Sequence, residues 1–158
     1  MTKPSQDFPS DRFQKALNYA LELHGDQIRK YKGIPYYAHL MSVTALVLES
    51  GGDEEEAMAA LLHDAVEDQG GRARLQEIED LFGSRVAAIV DGCTDAYKLP
   101  KPPWRERKEK YLQELISASR SVILVSLADK VHNARSIYRD LRREGEAVWD
   151  RFTGGKEG

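Results

Sequence analysis

The residues most able to do chemistry lie in the segment 61–68, LLHDAVED, where a histidine and three carboxylates follow an apolar half-helix. His63 and Glu67 are four residues apart, and Asp64 and Asp68 have the same spacing. On a helix, each pair would lie on roughly one face. Several carboxylates beside a histidine at the end of a core helix are costly unless a positive charge lies among them. A divalent cation would supply that charge, although the His-Asp pair alone fits a hydrogen-bonded core histidine equally well.

A second segment, SLADKVHN at 126–133, changes that balance. Asp129 lies within an apolar helical face, where a carboxylate needs a partner. Asn133 follows four residues later and would share the same face. Two such segments in one short chain are better explained together, as parts of one site.

Composition limits what kind of site this can be. The chain has 158 residues, 41% hydrophobic and 31% charged, which is typical of one soluble globular domain. Cys93 is the only cysteine, so a disulfide or a thiolate cluster within the chain is excluded and any metal must use nitrogen and oxygen ligands. A net charge of −3 gives no reason to expect a nucleic-acid polymer as a partner. Without a membrane-length apolar run or a secretion signal in residues 1–10, we expect a cytoplasmic protein away from membranes.

The hydrophobic pattern predicts an all-α protein with a single domain. Apolar residues recur at helical spacing along most of the chain, and the β-branched run that begins at Val122 persists too long for a buried strand. The predicted helices cover 11–24, 36–50, 54–68, 73–82, 84–96, a stretch beginning near 103, and 122–141. We predict an N-terminal extension at 1–10, the domain at 11–153 and a Gly-rich tail at 154–158.

Three motifs follow one another in the chain: RKYKGIPYYAH at 29–39, HDAVED at 63–68 and LADKVHN at 127–133. In this order they resemble the HD superfamily, and most closely the hydrolase domain of RelA/SpoT homologues. The resemblance extends over roughly 11–143. It implies a single HD-domain helical bundle.

The resemblance also implies a metal site and a catalytic pair. Its pattern makes Glu67 and Asp68 the catalytic residues, which would orient or deprotonate a water. One divalent ion is expected. Mixed imidazole and carboxylate ligands suit manganese, iron, zinc, cobalt and nickel alike, and the resemblance favours manganese. The implied metal ligands come from three separate segments: His39, His63, Asp64 and Asp129.

The family places basic residues near the substrate's phosphates, and the matching positions here are Arg29 and Lys30. Lys101 is a further candidate for binding phosphate. Tyr36 is expected to line the substrate pocket, and Asn133 is also expected to bind substrate. A solvated loop around 29–30 and a soluble linker around 101 are the plainer alternatives. The two remaining histidines, at 24 and 132, match no ligand and are interpreted as structural or surface groups.

The resemblance implies hydrolysis of the 3′-diphosphate of a guanosine alarmone such as ppGpp, a small nucleotide substrate, with release of pyrophosphate. The alternatives are another nucleotide, such as an adenosine alarmone or NADPH, and a catalytically silent nucleotide-binding regulator. Leu40 stands where the family commonly has proline, and Ile28 and Tyr31 replace charged residues. We expect these changes to affect base recognition and phosphate geometry but not the metal site. The oligomeric state is open, and a homo-oligomer is compatible with the sequence.

Overall fold

The computed structural model describes residues 8–29, 33–97 and 102–157. Within these ranges the chain forms eight α-helices and two short 3-10 helices, and no β-strand. The α-helices are α1 (Asp11–His24), α2 (Tyr36–Glu49), α3 (Glu54–Leu62), α4 (Ala65–Asp68), α5 (Gly71–Phe82), α6 (Ser84–Cys93), α7 (Trp104–Ile116) and α8 (Arg120–Glu144). The 3-10 helices cover Gly145–Arg151 and Gly155–Glu157. The all-α prediction is therefore confirmed, and no described helix is long and apolar enough to cross a membrane.

Side-chain caps define where several helices begin. The Ser10 hydroxyl accepts hydrogen bonds from the backbone of Arg12 and Phe13 at the start of α1. At the start of α3, Asp53 and Glu56 form a reciprocal capping box. Such caps satisfy backbone N–H groups that have no partner inside the helix.

Helix α3 is the centre of the core. Every residue from Glu56 to Leu62 is buried, and α3 packs against α1, α2, α6 and α8. This explains why residues 57–62 are apolar all round rather than on one stripe. The ionisable residues that follow α3 therefore emerge from the middle of the domain.

A close approach fixes α6 against α8. A side chain on Gly92 would place its Cβ 2.5 Å from Cγ2 of Val122, well inside van der Waals contact. Glycine at this position thus lets the two helices meet. The β-branched start of α8 is helical, as the persistence of its apolar pattern predicted, because Val122 and Val125 pack into the shared core.

One expectation about the helices was wrong. The segment 54–68 was predicted to be one helix, but α3 ends at Leu62 and α4 begins at Ala65. The backbone at Asp64 has φ −96° and ψ −5°, which lies in the bridge region rather than the regular helix. Apolar periodicity cannot reveal such a local break, because the same side chains remain buried on both sides of it.

Glu56 offers a test of the core. Its side chain is 2% exposed, receives the Asp53 backbone N–H at 2.8 Å and accepts the Ser121 hydroxyl at 2.7 Å. We expect Glu56→Ala to lower the free energy of unfolding by about 2–3 kcal/mol, since it removes half of the capping box and the buried acceptor of the Asp53 N–H and the Ser121 hydroxyl. The neighbouring Glu55 bonds Arg85 and Arg12 at the surface, so Glu55→Ala should cost less than about 1 kcal/mol. Equal losses in urea denaturation of the metal-free proteins would contradict this account.

Candidate metal centre

The break between α3 and α4 brings two adjacent residues to one point. Side chains of consecutive residues on a regular helix project about 100° apart. With the helix interrupted, Nε2 of His63 lies 3.1 Å from Oδ2 of Asp64. Both side chains therefore face the same small volume.

Two other helices complete the cluster. His39, from α2, places its Nε2 3.2 Å from Oδ1 of Asp129, on α8, and 3.7 Å from Oδ2 of Asp64. Ligand atoms of His39, His63 and Asp129 all lie within 4.8 Å of one another. The structure thus brings together all four residues that were expected to bind a metal.

The donor atoms in this cluster fit a metal ion. Nδ1 of His63 lies 2.8 Å from the carbonyl oxygen of Ala60, an acceptor, so Nδ1 carries the ring proton. Nε2 is buried, makes no hydrogen bond within the described residues, and faces Asp64 at 3.1 Å and Asp129 at 3.8 Å. Burial lowers the pKa of His63, but these two carboxylates raise it well above its usual value. A bound cation in place of the Nε2 proton is the arrangement that imidazole–metal sites use.

The charges in the cluster are strongly coupled. Burial would raise the pKa of Asp129, but the adjacent His39 and His63 rings hold that pKa far below its usual value. The pKa of Asp64 is also lowered, because the His63 ring outweighs the effect of burial. Burial lowers the pKa of His39. Both carboxylates are therefore ionised at neutral pH, the form in which they bind metals.

Asp129 is held in place by its own helix. Lys130 donates to Oδ2 at 2.5 Å, and the Asn133 amide donates to Oδ1 at 2.6 Å. The predicted pairing of Asn133 with Asp129 is thus present. Asn133 was also expected to contact substrate, and its place beside the cluster is compatible with that role.

Tyr36 lies at the edge of the cluster. Its hydroxyl donates to Oδ2 of Asp64 at 2.5 Å, and its ring stacks on His24 with centroids 5.3 Å apart. Burial and the Asp64 charge together raise the Tyr36 pKa, so the hydroxyl remains a donor. Tyr36 thus orients the Asp64 carboxylate, a contact that the sequence did not indicate.

The two expected catalytic carboxylates lie on α4, directly after the cluster. Asp68 accepts a hydrogen bond from Nε2 of Gln27 at 3.1 Å, and Oε1 of Gln27 lies 2.7 Å from Nδ1 of His24. His24, which we interpreted as structural, therefore supports Asp68 through Gln27. A carboxylate held in this way has a defined orientation beside the metal centre.

Glu67 is linked to the start of α7. Nη1 of Arg107 lies 3.9 Å from Oε1 of Glu67 and 2.8 Å from Oδ1 of Asp95. Lys108 also pairs with Asp95, which is 4% exposed. Burial would raise the pKa of Asp95, but Lys108 and Arg107 lower it. This buried ion pair places a positive charge near Glu67, and no motif in the sequence indicated it.

The basic residues expected to bind phosphate are only partly described. Arg29 donates to Oδ1 of Asn133 at 2.7 Å, and its Nη1 lies 3.3 Å from Nδ1 of His132. Arg29 is therefore beside the cluster, in contact with α8. Lys30 and Lys101 lie outside the described residues.

His132 is the main residue that the sequence interpretation missed. Its Nδ1 lies 2.7 Å from Nδ1 of His39, although it was expected to be a structural or surface group. Burial, His39 and Arg29 lower the pKa of His132 to about 4, so the ring is neutral at physiological pH. The signal was available in the spacing, because His132 follows Asp129 by three residues and lies on the same face of α8.

The helical bundle and its buried histidine–aspartate cluster place this chain in a class of protein: helical domains that carry a candidate metal centre of histidines and aspartates. This chain belongs to the HD domain family, whose model matches residues 16–158. The resemblance seen in the three motifs is thereby confirmed.

Several proteins similar to this chain carry names or titles that refer to hydrolysis of ppGpp. A Danio rerio protein named guanosine-3′,5′-bis(diphosphate) 3′-pyrophosphohydrolase is 38% identical over 128 residues, which are 79% of this chain and 68% of that protein. An Aquifex aeolicus protein of the same name is 35% identical over 140 residues, but this chain spans only 19% of its length. A solved structure, of a metazoan orthologue of SpoT that hydrolyses ppGpp, has a TM-score of 0.75 and 31% identity, covering 94% of this chain and 89% of that one.

Proposed function

We propose that this protein is a metal-dependent phosphohydrolase that removes the 3′-diphosphate of a guanosine alarmone such as ppGpp as pyrophosphate. The observation that carries the proposal is the buried cluster of His39, His63, Asp64 and Asp129, followed on α4 by two further carboxylates. The guanosine substrate is taken from the relatives, which carry that activity in their names.

Each residue has a proposed task. Manganese is the favoured ion; when bound, it supplies Lewis-acid polarisation of phosphoryl oxygens and activation of water. Glu67 and Asp68 accept the proton of the attacking water and later return it to the leaving oxygen. Water attacks the phosphorus attached to the 3′-oxygen, that P–O bond breaks, and GDP and pyrophosphate are the products. Arg29 and Lys30 bind the phosphates, with Tyr36, Lys101 and Asn133 completing the pocket.

The domain bounds, the partner and the location belong to the same proposal. Residues 11–153 are the proposed catalytic unit, with 1–10 and 154–158 as terminal extensions. We propose a small nucleotide as the partner, no nucleic-acid polymer, and a cytosolic location.

The test is release of pyrophosphate and GDP from ppGpp by the purified protein, with manganese present and then with a chelator. We expect turnover with manganese and none with chelator, and restored turnover when the metal is returned. A panel containing an adenosine alarmone and NADPH tests the substrate. Absence of turnover on ppGpp by folded, metal-loaded protein would refute the guanosine assignment, and turnover of another member would identify the replacement.

A further inference from the structure

His132, on α8, faces His39, a proposed metal ligand on α2. It lies on α8, one turn after Asp129, with its ring centroid 4.8 Å from that of His39 and an interplanar angle of 47°. The two Nδ1 atoms are 2.7 Å apart, which is a hydrogen-bond distance. One of the two nitrogens must therefore donate a proton to the other.

Arg29 decides which nitrogen is the donor. Its Nη1 lies 3.3 Å from Nδ1 of His132, and a guanidinium group can only donate. Nδ1 of His132 is therefore the acceptor, and the shared proton belongs to Nδ1 of His39. Nε2 of His39 then carries no proton and has a free lone pair. Nε2 is also the nitrogen that points at Asp129 and Asp64.

We propose that His132 is a positioning residue of the metal centre, which holds His39 as the Nδ1–H tautomer with Nε2 directed at the ion. This rests on the proposed metal site but not on the identity of the substrate. The carbonyl oxygen of Ala60 does the same for His63, at 2.8 Å from Nδ1. Both imidazoles are thus oriented through Nδ1, the nitrogen that faces away from the proposed ion. The acceptor is a backbone carbonyl for His63 and a side chain for His39.

The test compares two substitutions of His132 in protein freed of metal. His132→Leu removes the acceptor, whereas His132→Asn keeps an oxygen acceptor close to the position of Nδ1. Binding of Mn²⁺ is measured by titration, using the paramagnetic resonance signal of the free ion. We expect His132→Leu to weaken Mn²⁺ binding by about 10- to 100-fold, and His132→Asn to recover most of that loss.

Two controls keep the outcomes distinct. Arg142→Ala alters an exposed side chain ten residues further along α8 and should leave Mn²⁺ binding unchanged. Melting in chelator shows whether each variant is folded, and if His132→Leu is not, the comparison of His132→Asn with His132→Ala replaces it. Equal Mn²⁺ affinity of the wild type and the folded variant without an acceptor would overturn the proposal. A wild type that binds no Mn²⁺ would instead refute the proposed metal site itself.

Discussion

Replacing His63 with leucine is expected to abolish hydrolysis and to weaken Mn²⁺ binding by more than about 100-fold, beyond the loss typical of removing an outer hydrogen-bond partner. The reason is geometric. His63 links the backbone of α3 to the cluster, because its Nδ1 bonds Ala60 and its Nε2 faces Asp64 and Asp129. Leucine keeps the buried volume but offers no ligand atom.

His24 provides the matched control for this substitution. It is also fully buried, also bonds through Nδ1, and also has an Nε2 without a hydrogen-bond partner among the described residues. It lies outside the cluster, however, against the ring of Tyr36. His24→Leu should therefore leave Mn²⁺ affinity within a few fold of the wild type. Mn²⁺ affinity is the readout of this control, because His24 also supports Asp68 through Gln27 and its loss can lower turnover. Comparable losses in calorimetric titrations of both variants would show that general core damage, not a ligand, is responsible.

Glu67→Gln and Asp68→Asn are expected to lower kcat by about 10²- to 10⁴-fold, the range typical of a lost general acid or base. Neither substitution should change Mn²⁺ affinity by more than a few fold, because both side chains lie beyond the four clustered residues. Asp68 is oriented by Gln27, and Glu67 lies near the guanidinium of Arg107. The amide replacements keep the side-chain shape but remove the negative charge and with it the ability to take a proton.

Steady-state hydrolysis and Mn²⁺ titration on the same preparations separate catalysis from binding. Glu114→Gln, an exposed carboxylate on α7, is the control for a change of one charge. Undiminished kcat in either catalytic variant would remove that residue from the proposed mechanism. A parallel fall in Mn²⁺ affinity would make it a ligand instead.

Much of the fold could be predicted because helical periodicity and caps are local signals. Ser10 and Asp53 each cap a helix whose range was predicted, and the long apolar pattern after Val122 gives one helix. Apolar patterns do not report a change of backbone angle, so the break at Asp64 was not predicted.

The candidate site was predictable in part through the family resemblance. That resemblance named the four residues that come together, but their roles remain predictions. The environment of His39 was not predictable, since the contact with His132 spans 93 positions of sequence and depends on how α2 packs against α8. The pairing of Arg107 with Asp95 likewise joins segments on either side of a stretch outside the described residues.

The four clustered residues come from segments that are far apart in the chain, at 39, 63–64 and 129. An unfolded chain cannot hold them together, so a bound ion would favour the folded state by mass action. At a free metal concentration 100 times the dissociation constant, that linkage adds about 2.7 kcal/mol to the stability. The amount of folded protein in a cell would then follow the supply of divalent metal, before any effect of the metal on turnover.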